Sequence, residues 1–189
     1  LPVLLKPNSL HRTRGDSFSH EVEWVGEMII EDARRILALK NDIKALELRC
    51  KMLMQESQAA QLIDSIPGFA VICASELAGE IGTIDRFASE RSLALYLGMA
   101  NLDNSSGKFR GSKAPKHVNK RAKGAMMSAV DKHRKCVPES QRYYEKKRIE
   151  GKSHNQAIRA LGRQLCRIIF RMLKQNRAYE IRKKIDENT

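Results

Sequence analysis

The sequence predicts an all-α protein, a long coiled-coil helix followed by a compact helical domain with a helix-hairpin-helix-like element and room for a short β-hairpin around residues 100–115. Three observations predict it. Apolar residues recur at helical spacing over long segments, the connections between those segments are short, and strand-like alternation is almost absent. At 189 residues the chain is sized for one compact domain plus an appendage. Its 42% hydrophobic content exceeds that of a disordered chain. No apolar run approaches the roughly 20 residues that a membrane-spanning helix needs.

Residues 1–20, with Pro2, Pro7, Asn8, Ser9, Gly15 and Ser17, lack sustained periodicity and read as a leader or connection to an upstream domain. Leu1 to Lys6 is too short for the apolar region of a signal peptide, so the chain reads as a piece of a longer one. From Val22 a heptad begins. Val22, Ile29, Ile36, Ile43, Cys50 and Ser57 occupy one seam position and Val25, Asp32, Leu39, Leu46, Leu53 and Ala60 the other; ten of these twelve are apolar. Uninterrupted by proline, residues 21–63 predict one helix of about 60 Å at 1.5 Å per residue. Isoleucine at the first position with leucine at the second favours a parallel two-stranded coil, hence a homodimer through residues 21–63. A long helix packed on its own chain is the alternative.

The domain over residues 64–185 opens with Ser65-Ile66-Pro67-Gly68-Phe69-Ala70, a turn between helices, and Val71 to Gly82 then carries helical spacing. Helix, Pro-Gly turn, helix is the outline of a helix-hairpin-helix, in which turn amides hold a phosphate; an ordinary αα-hairpin is the other reading of the same residues. Ser92 to Met99 is a short helical segment closed by Gly98, and Asn101 to Lys113 an exposed polar loop. A helix over 118–136 is broken by Pro138, a second starts near Glu139, and Gly151 separates it from a last helix over His154 to Lys184. That helix has Ile158, Leu161, Leu165, Ile168 and Met172 as its buried stripe and Arg159, Arg163, Arg167 and Arg171 as a neighbouring basic ridge.

Charge divides the chain unequally. Residues 1–107 carry 11 basic and 15 acidic side chains, and residues 108–189 carry 24 and 7, so the C-terminal part holds the whole +13 excess. A polyanion is the natural partner of such a surface, because each neutralised phosphate releases counterions. An anionic membrane fits less well, since the basic part has few large aromatic anchors. Cys50, Cys73, Cys136 and Cys166 form no CxxC pair and read as reduced thiols. The five histidines lack metal-ligand spacing, and no metal site is expected in this chain. The acids Asp16, Glu21, Glu23, Glu27, Glu31 and Asp32 suit a helix N-terminus rather than a metal. The loop Ser105-Ser106-Gly107, followed at once by Lys108, Arg110, Lys113 and Lys116, puts two hydroxyls beside a cluster of phosphate-binding charges; by composition alone it is a linker.

Residues 66–173 resemble the C-terminal domain of the bridge-RNA-guided insertion-sequence transposases, whose N-terminal domain is carboxylate-rich and nuclease-like. The order of motifs carries the resemblance: Ile66-Pro67-Gly68, Glu80-Ile81-Gly82, Arg86-Phe87, Leu93-Ala94-Leu95-Tyr96-Leu97-Gly98-Met99, Ser105-Ser106-Gly107, Lys116-His117-Val118-Asn119, and Tyr144-Glu145-Lys146-Lys147-Arg148 with Gly151-Lys152-Ser153-His154, Ala157, Ala160, Arg163 and Leu165. The chain departs from the pattern at Ala70, Val118 and Ala122-Lys123. The resemblance implies a serine nucleophile, Ser106 with Ser105 as the alternate, that attacks a DNA phosphodiester and links to the 5′ phosphate. It further implies nucleic-acid contacts at Gly68, Lys108, Arg110, Lys113, Lys116, Asn119, Lys120, Arg121, Arg159, Arg163 and Arg167. DNA and a structured guide RNA are the implied partners, the implied location is the prokaryotic cytoplasm at the nucleoid, and magnesium is implied in the separate N-terminal domain alone. Two other readings stand beside it: a non-enzymatic helix-hairpin-helix nucleic-acid-binding module with a coiled-coil dimeriser, and a coiled-coil scaffold whose basic half binds an acidic protein.

Overall fold

The computed structural model describes residues 14–108, 111–113 and 115–180. In chain order these form helices α1 (Arg14–Gln55), α2 (Gln58–Asp64) and α3 (Val71–Ile81), a 3-10 turn (Ile84–Arg86), α4 (Glu90–Tyr96), strands β1 (Leu102–Asp103) and β2 (Ser112–Lys113), and helices α5 (Lys120–Cys136), α6 (Pro138–Ile149) and α7 (His154–Gln175). The protein is all-α apart from that two-residue ladder. The chain divides into two units, residues 1–46 and 47–189.

In the first unit the described residues form a single helix, the N-terminal part of α1. Its heptad positions Val22, Val25, Ile29, Ile36, Leu39, Ile43 and Leu46 are all 47–63% exposed, because one helix cannot bury its own stripe. From Arg14, the first described residue, the chain is already helical, inside the stretch read from sequence as a leader. Its other end also differs from expectation. Residues 21–63 are not one helix: the chain breaks at Glu56 and Ser57, and Ser57 starts α2 by accepting the amide of Ala60 at 3.3 Å. The last seam positions therefore have other work, Ser57 as a cap and Ala60 buried in the core of the second unit.

The second unit is built around α7, which packs against α2, α4, α5 and α6. Its buried face carries Ala157, Ile158, Leu161, Gly162, Leu165, Cys166, Ile169 and Met172. That face is wider than the predicted stripe. Ile168 is only half-buried while Ile169 is fully buried, as befits a helix covered on several sides. Helix α7 starts on a reciprocal capping box between Ser153 and Gln156, and ends nine residues before the expected Lys184 because Asn176 adopts the left-handed conformation (φ 52°) and caps it. Pro138 both terminates α5 and opens α6 at its first turn, where a missing amide costs nothing. Ile63, Ile66, Phe69, Leu77, Ile81, Leu93, Leu97 and Met126 complete a core supplied by α2, α3, α4, α5 and α7, with Tyr143 and Tyr144 of α6 packed partly buried against it.

Candidate nucleic-acid interface

The motifs scattered along residues 80–119 converge in space. Helix α3 delivers Glu80, and Tyr96, the last residue of α4, donates from its hydroxyl to the Glu80 carbonyl at 2.9 Å. Asn119 donates from Nδ2 to the Glu80 carboxylate and to Tyr96 Oη at 2.7 Å, while its Oδ1 accepts the amides of Arg121 and Ala122 at 3.0 Å each. Both Asn119 side-chain donors are thereby engaged, and its oxygen caps α5. Arg86 donates to the Glu80 and Ile81 carbonyls at the C-terminal end of α3, and its guanidinium stands 4.8 Å from the Tyr96 ring centroid and 5.0 Å from that of Phe87. Arg121 completes the cluster with ion pairs to Glu76 at 2.9 Å and Glu80 at 3.2 Å; the Glu76 hydrogen bond, then its charge, raise the Arg121 pKa.

This cluster fixes the base of a loop. The Asn119 amide bonds the Tyr96 carbonyl at 3.0 Å, so the excursion from 97 to 118 leaves and re-enters at one point. On the outward leg Leu97, Met99 and Ala100 are buried. Beyond them β1 and β2 pair antiparallel, Leu102 with Lys113 and Asp103 with Ser112, and the Asn104 amide reaches the Gly111 carbonyl at 2.9 Å. Ser105, Ser106, Gly107 and Lys108 follow as exposed residues, with Gly107 at φ 55°. A hydroxyl on a short ladder whose root is buried is held in place and open to a large substrate. Among the described residues no hydrogen bond joins Ser106 to a carboxylate or imidazole. Lys113 and Lys116 are exposed near the loop, and Lys120 and Arg121 on the first turn of α5. Arg110 lies outside the described residues.

Gly68 is half-buried at φ 87°, and a Cβ there would lie 2.5 Å from the backbone nitrogen of His133. The glycine thus lets the Pro67-Gly68 turn rest against α5. His133 answers it by donating from Nδ1 to the Pro67 carbonyl at 2.6 Å.

Arg159, Arg163 and Arg167 share one groove of about 670 Å³. Sequence reasoning missed the rest of its wall: Arg91 from α4, Tyr143 and Lys147 from α6, and Lys152 from the loop before α7. Lys152 carried a signal in the Gly151-Lys152-Ser153 motif, whereas Arg91 carried none, since only tertiary packing brings α4 to α7. Asn101 and Leu102, the start of the hairpin, line the same groove. Beside it, Tyr144 and His154 tie α6 to α7 through a 2.8 Å hydrogen bond from Oη to Nδ1, and Arg134 lies 4.2 Å over the Tyr144 ring while pairing with Asp131 at 2.7 Å. Burial works to raise the Asp131 pKa, but hydrogen bonds from Lys135 and Arg134 outweigh it and lower the pKa overall. Among the described residues no three His, Cys, Asp or Glu side chains come together as metal ligands. No described helix is long and apolar enough to cross a membrane.

An exposed serine hairpin and a groove holding six cations are thus carried on one helical domain. Residues 60–145, just under half of the chain, match the profile described as the Transposase IS116/IS110/IS902 family. It is similar to the insertion element IS110 43.6 kDa protein of Streptomyces coelicolor, 32% identical over 151 residues, which cover 79% of this chain and 37% of that protein. It is equally similar to the insertion element IS900 42 kDa protein of Mycobacterium paratuberculosis, 32% identical over 149 residues, 78% of this chain and 37% of the relative. The insertion element IS116 44.8 kDa protein of Streptomyces clavuligerus is 28% identical over 155 residues, 81% of this chain and 39% of the relative. The chain therefore spans less than two fifths of the length of these curated relatives.

Proposed function

We propose that this chain is the DNA-binding, serine-bearing part of a DNA transposase or site-specific recombinase, and that Ser106 is its nucleophile. One observation carries the reading: an exposed Ser105-Ser106-Gly107 hairpin, rooted in the core by Met99 and Ala100 and flanked by Lys108, Lys113 and Lys116, within the segment that matches a transposase family. Attack by Ser106 Oγ on a DNA phosphorus forms an O–P bond and breaks the bond from phosphorus to the 3′ oxygen. The 5′ phosphate stays on the protein; the serine proton is lost and the departing 3′ oxygen gains one. The neighbouring lysines supply positive charge where the transferring phosphoryl group concentrates negative charge. The proton acceptor, and the magnesium that the resemblance implies, belong in this reading to an N-terminal domain not contained in this chain. A structured guide RNA is proposed as a second polyanion for the basic surface, which would read backbone charge and shape rather than bases. The exposed α1 seam supports a parallel homodimer.

Covalent trapping tests the proposal. A full-length transposase containing this chain, supplied with guide RNA, magnesium and end-labelled DNA and then denatured, is expected to retain label on the protein. Ser106→Ala should abolish the adduct and Ser105→Ala should leave it. Reversal of those two results moves the nucleophile to Ser105. Tight, salt-sensitive binding with no adduct at all replaces the enzyme by the non-catalytic binding module.

A further inference from the structure

We propose that the groove between α4, α6 and α7 is a binding site for an unpaired DNA strand on its way to the serine hairpin; this rests on the reading of the chain as a DNA-cleaving domain. The groove holds six cations, Arg91, Lys147, Lys152, Arg159, Arg163 and Arg167, and no carboxylate lines it. Three of the six are partly neutralised at its rim, Arg167 by Glu90 at 2.9 Å, Lys147 by Glu150 at 2.8 Å and Lys152 by Glu150 at 3.6 Å. Arg91, Arg159 and Arg163 meet no acid among the described residues. Three arginines from two helices converging on one concavity without a protein counter-ion repel one another, and an external polyanion relieves that cost.

Shape selects the kind of polyanion. Protein elements that read a duplex are convex and enter a groove roughly 12 Å wide. Here the feature is concave, and its 670 Å³ lies in the range of roughly 300–1,000 Å³ that encloses a small ligand or a short length of single strand rather than a double helix. The wall also offers Tyr143, a half-buried ring beside the cations, and a basic track combined with an aromatic face is the common recipe for binding single strands without sequence preference. Direction follows from connectivity. Asn101 and Leu102 line the groove and stand only a few residues before Ser106, so a strand lying along α7 is led to the root of the hairpin.

The test compares this chain with a groove variant, Arg91→Gln/Arg159→Gln/Arg163→Gln, and an equal-charge control, Lys132→Gln/Arg142→Gln/Arg177→Gln, none of whose positions lines the groove. Fluorescence anisotropy with a labelled twelve-nucleotide DNA strand, the same strand as RNA and the DNA duplex gives affinities across a salt series, with circular dichroism checking that each variant is folded. The groove variant should lose about tenfold or more in affinity for the DNA strand, with its salt slope reduced by about 2, as expected for three lost phosphate contacts at roughly 0.7 each. Duplex binding should fall no further than in the control. Equal losses in both variants, or a loss confined to the duplex, overturn the single-strand site, and a larger loss on RNA than on DNA reassigns it to RNA. Strand binding requires no cleavage: an absent adduct defeats the nucleophile while leaving the groove, and an unaffected affinity in the groove variant defeats the groove while leaving the nucleophile.

Discussion

Gly68 and Gly79 look alike in the sequence and differ completely in their surroundings. Gly68 sits at φ 87° with the α5 backbone 2.5 Å from where a Cβ would be, and backbone cannot retreat as a flexible side chain can. Gly79 lies in α3 with nothing within 4 Å of its added Cβ. Gly68→Ala should destabilise the protein by about 2–4 kcal/mol through left-handed strain and overpacking. Gly79→Ala should stabilise it by about 0.5–1 kcal/mol by stiffening the unfolded chain. Urea denaturation reads both, and a neutral Gly68→Ala would mean that the turn does not rest on α5. Asn119 carries a related lesson. A motif asparagine beside lysines suggests a phosphate donor, yet its hydrogen atoms go to Glu80 and Tyr96 and its oxygen caps α5. A contact from Asn119 to phosphate would require one of those bonds to break.

Among the elements, α1 and α7 stand at opposite ends of a scale of burial. The heptad of α1 is legible because nothing else in its sequence competes with it, and its large apolar seam residues from Val22 to Leu46 are 47–63% exposed. Such a stripe is stable in water only when covered by a partner. Ile36, 54% exposed at a seam position, tests for the proposed partner. Ile36→Asp should convert the proposed dimer to a monomer in sedimentation equilibrium while the second unit keeps its helices; an unchanged mass would remove the coiled coil from the proposed function. The break at Glu56 and Ser57 shows where the pattern stops meaning a coil. Ser57 and Ala60 keep heptad register, but the first is a cap and the second is core.

At the scale of the whole molecule, stability should depend on pH through one buried imidazole. His133 is fully buried, with Nδ1–H committed to the Pro67 carbonyl, Nε2 without a hydrogen-bond partner among the described residues, and the rings of Phe69 and Tyr179 edge-on at 6.2 and 6.1 Å. Burial lowers its pKa more than the Pro67 bond raises it. The unfolded chain, with an ordinary histidine near 6.5, binds the proton more readily than the folded one, so stability is complete above that pH. It should fall by up to about 1.4 kcal/mol per unit as pH drops below about 6.5, levelling off below the folded pKa. Urea midpoints between pH 7 and 5 should show the decline in the native chain and its reduction in His133→Gln. Equal slopes in the two would place the titration elsewhere.

The sequence by itself determined the helical class, most helix ends, the basic C-terminal part and the serine loop, because periodicity, capping residues, proline and charge act over a few neighbouring residues. Val71 to Gly82 and the start at His154 are legible for that reason. The end of α7 at Asn176 was not, since a helix end without glycine or proline depends on contacts more than on composition. Only the tertiary structure decided that Glu80, Arg86, Tyr96 and Asn119 form one strut, that Gly68 is held against His133, and that Arg91 and Lys147 join Arg159 and Arg163 in a groove leading to the hairpin. Residues so far apart in the chain meet only when the core packs, and burying α7 among four helices is what brings their charges to one place.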